Sequence, residues 1–163
     1  MDTTRPSTTA ARSEAPDGHQ LIAAGLEGHG ITHVFAIGGT PIHETLAACL
    51  RHGIRVVGVH NQQAAAMMAA SYNYMTGRLS AAVILSAGPA IANSVTGLLV
   101  AHDNDWPLVV IGGCRPLDMR GRGAFQDLDA VPIVGSITRF AARLDRPEEI
   151  VPALDRACRI ATG

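Results

Sequence analysis

The run Gln62-Gln63-Ala64-Ala65-Ala66-Met67-Met68-Ala69-Ala70-Ser71-Tyr72-Asn73-Tyr74-Met75-Thr76-Gly77 constrains the fold most. It reads as a helix with small or apolar side chains on nearly every face, and a helix apolar all round is buried on all sides. It follows directly on Arg55-Val56-Val57-Gly58-Val59, an apolar run with the character of a buried strand. A polar amide, Gln62, therefore stands where a strand hands over to a buried helix. In open α/β sheets that is where ligands bind.

The rest of the chain repeats the alternation. Asp17 suits an N-cap, and Leu21, Ile22, Gly25 and Leu26 give helical spacing up to a stop at Gly30. His33 to Ile37 reads as a strand. The turn Gly38-Gly39-Thr40 follows, and Pro41 suits the first position of a helix ending at His52-Gly53. Ala81 to Leu85 and Leu108 to Ile111 are further strands, separated by a helix from Gly88-Pro89 to about Asp103. Beyond Gly113 the pattern loosens. Gly121 to Gly123 read as a loop, Phe125 to Val131 as a short helix and Ile137 to Ala141 as an edge strand. Pro147-Glu148-Glu149 open a last amphipathic helix with Ile150, Leu154 and Ile160 facing inward. Continuous apolar strands alternating with helices imply a mainly parallel sheet with helices on both faces. The expectation is one three-layer α/β domain over residues 17–163. A disordered tail is expected over residues 1–16, which are rich in Thr, Ser, Ala, Arg and Pro.

Composition removes several function classes. Formal net charge is -1, and the only basic concentration is Arg115, Arg120 and Arg122, so no basic footprint for nucleic acid exists. Cys49, Cys114 and Cys158 are odd in number and far apart, without a CxxC pair, which fits reduced thiols in a cytoplasmic protein. No apolar run is long enough to span a bilayer, so no membrane partner is expected.

Three turns follow strand ends and carry the candidate chemistry: Gly38-Gly39-Thr40-Pro41, His60-Asn61-Gln62-Gln63, and Ser86-Ala87-Gly88-Pro89-Ala90-Ile91-Ala92-Asn93. In a parallel sheet all three lie at one edge. Glycines let a ligand approach the backbone, and helix N-termini offer free N–H donors. Each turn alone is better explained as a tight connection; it is their convergence that points to a site. Neither a G-x-G-x-x-G fingerprint nor a G-x-x-x-x-G-K-[ST] loop is present, so nucleotide binding has little support. The histidines are scattered without ligand spacing, and His102-Asp103-Asn104-Asp105 reads as a solvated helix end, so no metal ligands are assigned.

Taken as a set, these segments resemble the pyrimidine-binding domain of thiamine diphosphate-dependent enzymes. That superfamily includes acetolactate synthase, benzaldehyde lyase, 2-hydroxyacyl-CoA lyase and the 2-oxo acid decarboxylases. The resemblance runs from about Gly18 to Thr162. It rests on His33 to Ile42, on Gln62 to Gly77, on Ser86 to Leu98, and on Gly123-Ala124-Phe125-Gln126-Asp127. It implies that Gly39, Thr40, Pro89 and Asn93 line the cofactor pocket with Gln62, and that Phe125 and Gln126 face the substrate. In such enzymes a separate domain holds the diphosphate and Mg2+ through a Gly-Asp-Gly motif, which this sequence lacks. The resemblance therefore implies a partner: a diphosphate-binding subunit, in a hetero-oligomer such as α2β2. The small-residue run from Ala64 to Ser71 suits a subunit interface or an ordinary core helix.

Departures from the family pattern are specific. Gln62 stands where the family has a glutamate that exchanges a proton with a ring nitrogen of the aminopyrimidine. An amide can orient the ring but cannot move that proton, and losing a positioned acid–base group costs about 10² to 10⁴ in rate. Gly38 stands for a frequent proline, Ala90 for a glycine and Asn61 for a histidine. The expected activity is a thiamine diphosphate-dependent lyase, decarboxylase or carboligase on a 2-oxo acid or 2-hydroxyacyl substrate. The alternative is a non-catalytic scaffold or regulatory member.

Overall fold

The computed structural model describes residues 17–163, and the expected tail over 1–16 lies outside them. Four parallel strands, β1 (His33–Ala36), β2 (Arg55–Gly58), β3 (Ala81–Leu85) and β4 (Val110–Gly112), lie in the order β2-β1-β3-β4. Helices α1 (Gly18–Gly28), α2 (His43–Arg51), α3 (Gln62–Thr76), α4 (Pro89–Ala92), α5 (Val95–Asp103), α6 (Val131–Val134) and α7 (Ile150–Thr162) connect and cover them. The α/β class and the parallel sheet agree with the alternation in the sequence.

Strand β3 shows why the sheet needs two covers. All five of its residues are buried. Ala82 and Ile84 point into a core shared with Leu26, Val34, Ala48, Cys49 and Leu154, under α1, α2 and α7. Ala81, Val83 and Leu85 point the other way, into a core shared with Ala65, Ala69 and Ala90, under α3. This is the period-two alternation of a strand clothed on both faces. Asp17 caps α1, accepting from the Gln20 N–H at 2.9 Å, and Asn61 caps α3, accepting from the Ala64 N–H at 3.1 Å. Gly77, with φ +66, closes α3 in the left-handed conformation.

Several expectations are corrected. β2 is an edge strand, exposed at Arg55 and Gly58, because no strand pairs beyond it among the described residues. α3 is not buried on all sides. Ala65, Ala66, Ala69, Ala70 and Asn73 are buried, but Met68, Tyr74 and Met75 face outward, Met75 at 79 % exposure. Its main neighbours are the sheet and α5, and Tyr74 stacks on Trp106 with ring centres 5.0 Å apart. The small residues thus serve this chain's own core, and a Cβ on Gly97 would lie 2.7 Å from both the Gln63 carbonyl oxygen and Ala66 Cβ. The helix expected from Gly88-Pro89 to Asp103 breaks at Asn93-Ser94. There Ser94 N–H reaches back to the Ile91 carbonyl at 3.0 Å and the Ser94 hydroxyl takes the same oxygen at 2.7 Å. Pro41 lies in a turn ahead of α2 rather than at its first position.

The C-terminal third departs further. Phe125 to Ala130 is not helical, because Gln126 adopts φ +62; the helix is α6 instead, with Pro132 in its first turn. Residues 137–141 form no strand. They line the same groove as β4.

Burial pushes the Cys49 and Cys158 thiols up to about 11, while Cys114 is exposed. A thiol held protonated by the fold leaves stability unchanged below its ordinary value of 9.0 and lowers it as pH rises from there toward about 11. In the native chain at pH 8, iodoacetamide is expected to modify Cys114 alone; mass spectrometry of native and urea-denatured protein checks this. Rapid native modification of all the cysteines would contradict the packing of Cys49 in the core.

Candidate functional site

Strand order reverses direction around β1. From β1 the chain moves to β2 on one side, then crosses to β3 on the other. α2 lies with α1 on one face of the sheet while α3 and α5 lie together on the other. A crevice at the carboxyl ends of the strands opens at such a switch point.

The three candidate turns meet there, tied by two side-chain hydrogen bonds. The Ser86 hydroxyl donates to the Thr40 carbonyl at 2.7 Å, joining the turns after β3 and β1. The Asn93 amide donates to Gln62 Oε1 at 2.7 Å, joining the start of α3 to the break between α4 and α5. Of the expected residues, Gly39, Thr40, Gln62 and Asn93 are thus held together in two linked pairs, since a Cβ on Gly39 would lie 3.1 Å from Ser86 Oγ. Pro89 opens α4 on the exposed side of the same turn. Gln126 reaches this edge through its backbone: a Cβ on Gly88, which has φ +56, would lie 2.6 Å from the Gln126 carbonyl oxygen. Gly88 therefore makes room for the chain's own loop. Phe125 is 77 % exposed, with the Arg115 guanidinium 5.8 Å from its ring centre. Ser86 was not among the expected residues; a serine closing a strand carries no signal until its partner 46 positions away is known.

The donor set suits a flat, uncharged polar ring. Asn61 satisfies the Ala64 N–H, while the N–H groups of Gln62 and Gln63 find no acceptor among the described residues. They sit at the positive end of a 15-residue helix. No Asp or Glu lies in the three turns. The arrangement can bind and orient; Gln62 itself cannot exchange a proton.

A cavity of about 540 Å3 lies elsewhere. It follows β4 and residues 137–147, with walls including Leu108, Ile111, Leu144, Leu154 and Ala157, and none of the expected site residues borders it. It is an apolar groove along a free sheet edge, whereas the turns gather hydrogen-bonding groups at the switch point. The turns are the better candidate.

Residues 16–133 match the family described as thiamine pyrophosphate enzyme, N-terminal TPP binding domain. The chain belongs to this family. It is 34 % identical over 157 residues to a probable acetolactate synthase of Mycobacterium bovis, covering 96 % of this chain and 28 % of that protein. It is 34 % identical over 154 residues to human 2-hydroxyacyl-CoA lyase 1, covering 94 % of this chain and 26 % of that protein. The 2-hydroxyacyl-CoA lyase of Arabidopsis thaliana is 34 % identical over 141 residues, with 86 % and 24 % covered. The chain thus spans about a quarter of the length of the curated relatives it matches.

Membership makes thiamine diphosphate the cofactor against which the site is tested, and its aminopyrimidine ring fits the donor set. Gln62 offers hydrogen bonds to a ring nitrogen, and the uncharged turns suit a neutral heterocycle. Among the described residues no cluster of His, Cys, Asp or Glu could hold a metal ion, and no helix is long and apolar enough to cross a membrane.

The site depends on α3 and α5 lying close. Gly97→Ala places a methyl group against the backbone oxygen of Gln63, and such overpacking costs about 1–3 kcal/mol. Urea melts are expected to show that loss. NMR should show the Asn93 and Gln62 side-chain amides losing their mutual contact. Unchanged stability would mean the two helices are not locked at this point.

Proposed function

We propose that this chain supplies the aminopyrimidine half of a thiamine diphosphate site, completed by a separate diphosphate-binding subunit that holds Mg2+, in a hetero-oligomer such as α2β2. The observation that carries the reading is the convergence of the strand-end turns on the Gln62–Asn93 pair. When bound, thiamine diphosphate supplies a thiazolium carbon that attacks a carbonyl and stabilises negative charge beside it. The assembly acts as a lyase, decarboxylase or carboligase on a 2-oxo acid or 2-hydroxyacyl substrate.

The residues of this chain bind and orient. Gln62 fixes the ring by hydrogen bonding. Gly39 and Thr40, held by Ser86, and Pro89 form the walls. Phe125 and Gln126 lie on the loop that approaches the β3 turn and face the substrate. Gln62 has no carboxyl with which to exchange a proton with the ring, so an assembly built on it would activate the cofactor more slowly than a glutamate-bearing site.

The experiment is deuterium exchange at the thiazolium C2 position, with the chain, its diphosphate-binding partner, thiamine diphosphate and Mg2+ together. Exchange faster than in free cofactor supports a catalytic subunit. Tight binding without accelerated exchange supports the second reading, a scaffold or regulatory member, which the amide at position 62 favours. No binding in any mixture defeats both.

A further inference from the structure

We propose that the groove between β4 and residues 138–144 is a slot for one extended strand of another polypeptide, apolar at every position and parallel to both walls. The slot is separate from the cofactor edge, since none of the residues assigned there borders it.

Both walls carry backbone groups without partners. In a parallel ladder every second residue turns its backbone groups to the same neighbour. The Val109 carbonyl accepts from the Val83 N–H at 3.0 Å, and the Gly113 N–H donates to the Leu85 carbonyl at 2.9 Å. Odd-numbered positions thus serve β3. The N–H and C=O groups of Val110 and Gly112 turn away from it, to the side where no described strand pairs. On the opposite wall, no backbone N–H or C=O of residues 138–144 has a partner among the described residues. The two walls also run the same way. Arg139 pairs with Asp105, ahead of β4. Asp145 pairs with Arg120, whose Nη2 lies 3.3 Å from Cys114 Sγ, just beyond β4. A strand laid between them therefore meets two parallel edges at once, and open edges invite such addition.

The lining dictates what the strand must be. Leu98 and Ala101 of α5 border the groove, and so do Ile22 of α1 and Leu154 and Ala157 of α7, from the other face of the sheet. A strand covered on both faces is apolar throughout, as Ala81 to Leu85 is. Charge agrees. The rim arginines are taken by carboxylates of this chain, Arg139 by Asp105, Arg143 by Asp129 at 3.5 Å and Arg146 by Glu149 at 2.9 Å, so a neutral segment fits. This chain does not supply it. Residues 1–16, the part outside the described residues, are mostly Thr, Ser, Pro and charged residues, without an apolar run of strand length. A second copy offers β2 as its other open edge. That strand is exposed at Arg55 and Gly58 and held to β1 by its own ladder, so it can lie against one wall but cannot enter between two.

The test uses the full chain and a soluble probe, a run of five valines flanked by lysines, with amide hydrogen exchange read by NMR. Binding is expected to slow exchange about tenfold or more at Val110, at Gly112 and at alternate residues of 138–144. Methylating alternate nitrogens of the probe removes the donors of one edge and should weaken binding about tenfold. Because a strand meets only every second residue of a wall, proline should act unequally at two neighbouring positions. One of Ala141→Pro and Ala142→Pro should weaken the probe about tenfold and the other less than about threefold. Neither position donates a backbone hydrogen bond among the described residues, so both variants should keep the native circular dichroism. Equal effects of the two variants, or slowed exchange on one wall only, would overturn the slot. Binding indifferent to methylation would also overturn it and mark a general apolar pocket. Exchange at Val110 and Gly112 that slows with protein concentration alone would give the edge to a second copy instead. Failure of the probe to bind the native chain would overturn the proposal outright.

Discussion

Asn73→Ala is expected to remove about 4 kcal/mol or more of stability, near the upper end for a single substitution. Asn73 is fully buried near the end of α3. Its NH2 donates to the carbonyls of Ala81 at 2.9 Å and Pro107 at 2.8 Å. Its Oδ1 accepts from the N–H groups of Ser80 at 2.9 Å and Ala81 at 2.7 Å. One side chain thus satisfies the backbone entering β3 and the backbone leading to β4. Alanine strands several buried polar groups at once, and each left unpaired costs about 1–3 kcal/mol. Urea denaturation should show the loss, while Met75→Ala, at a position 79 % exposed on the same helix, should stay within about 0.5 kcal/mol of the parent. Equal effects for the two variants would mean that Asn73 does not join the sheet to α3.

Gln62→Glu is expected to accelerate C2 exchange of bound thiamine diphosphate in the proposed two-subunit assembly by about 10² to 10⁴. The geometry already accommodates a carboxylate there. Asn93 can donate to one oxygen, as it now donates to Gln62 Oε1, leaving the other oxygen for the ring nitrogen. The substitution is nearly isosteric and lies at a partly exposed position, so the fold should tolerate it. An unchanged exchange rate, with cofactor binding intact, would mean that position 62 does not touch the ring.

The sheet was legible because a doubly covered strand has a distinctive composition: Ala81 to Leu85 is apolar throughout and is buried throughout. The start of α1 was legible because a local side chain, Asp17, caps it, whereas the Asn61 cap of α3 emerged only from the structure. The exposed side of α3 was not. Alanine and methionine all round give no preferred face, so periodicity cannot say which side lacks a neighbour. The break at Asn93-Ser94 was hidden for a related reason, since the serine back-bond that makes it competes closely with a continuous helix. At the site, the turns could be read from their glycines and amides. The contacts that assemble them could not, because Asn93–Gln62 and Ser86–Thr40 span 31 and 46 positions. Asn73 passed as one polar residue in an apolar helix until its backbone partners were seen.

Backbone NMR of the full chain titrated with thiamine diphosphate tests the central claim most directly. Shift changes gathered at Gly39, Thr40, Gln62 and Asn93 are the expected result. Changes gathered instead along the β4 groove, at Ile111, Leu144 and Leu154, would contradict it.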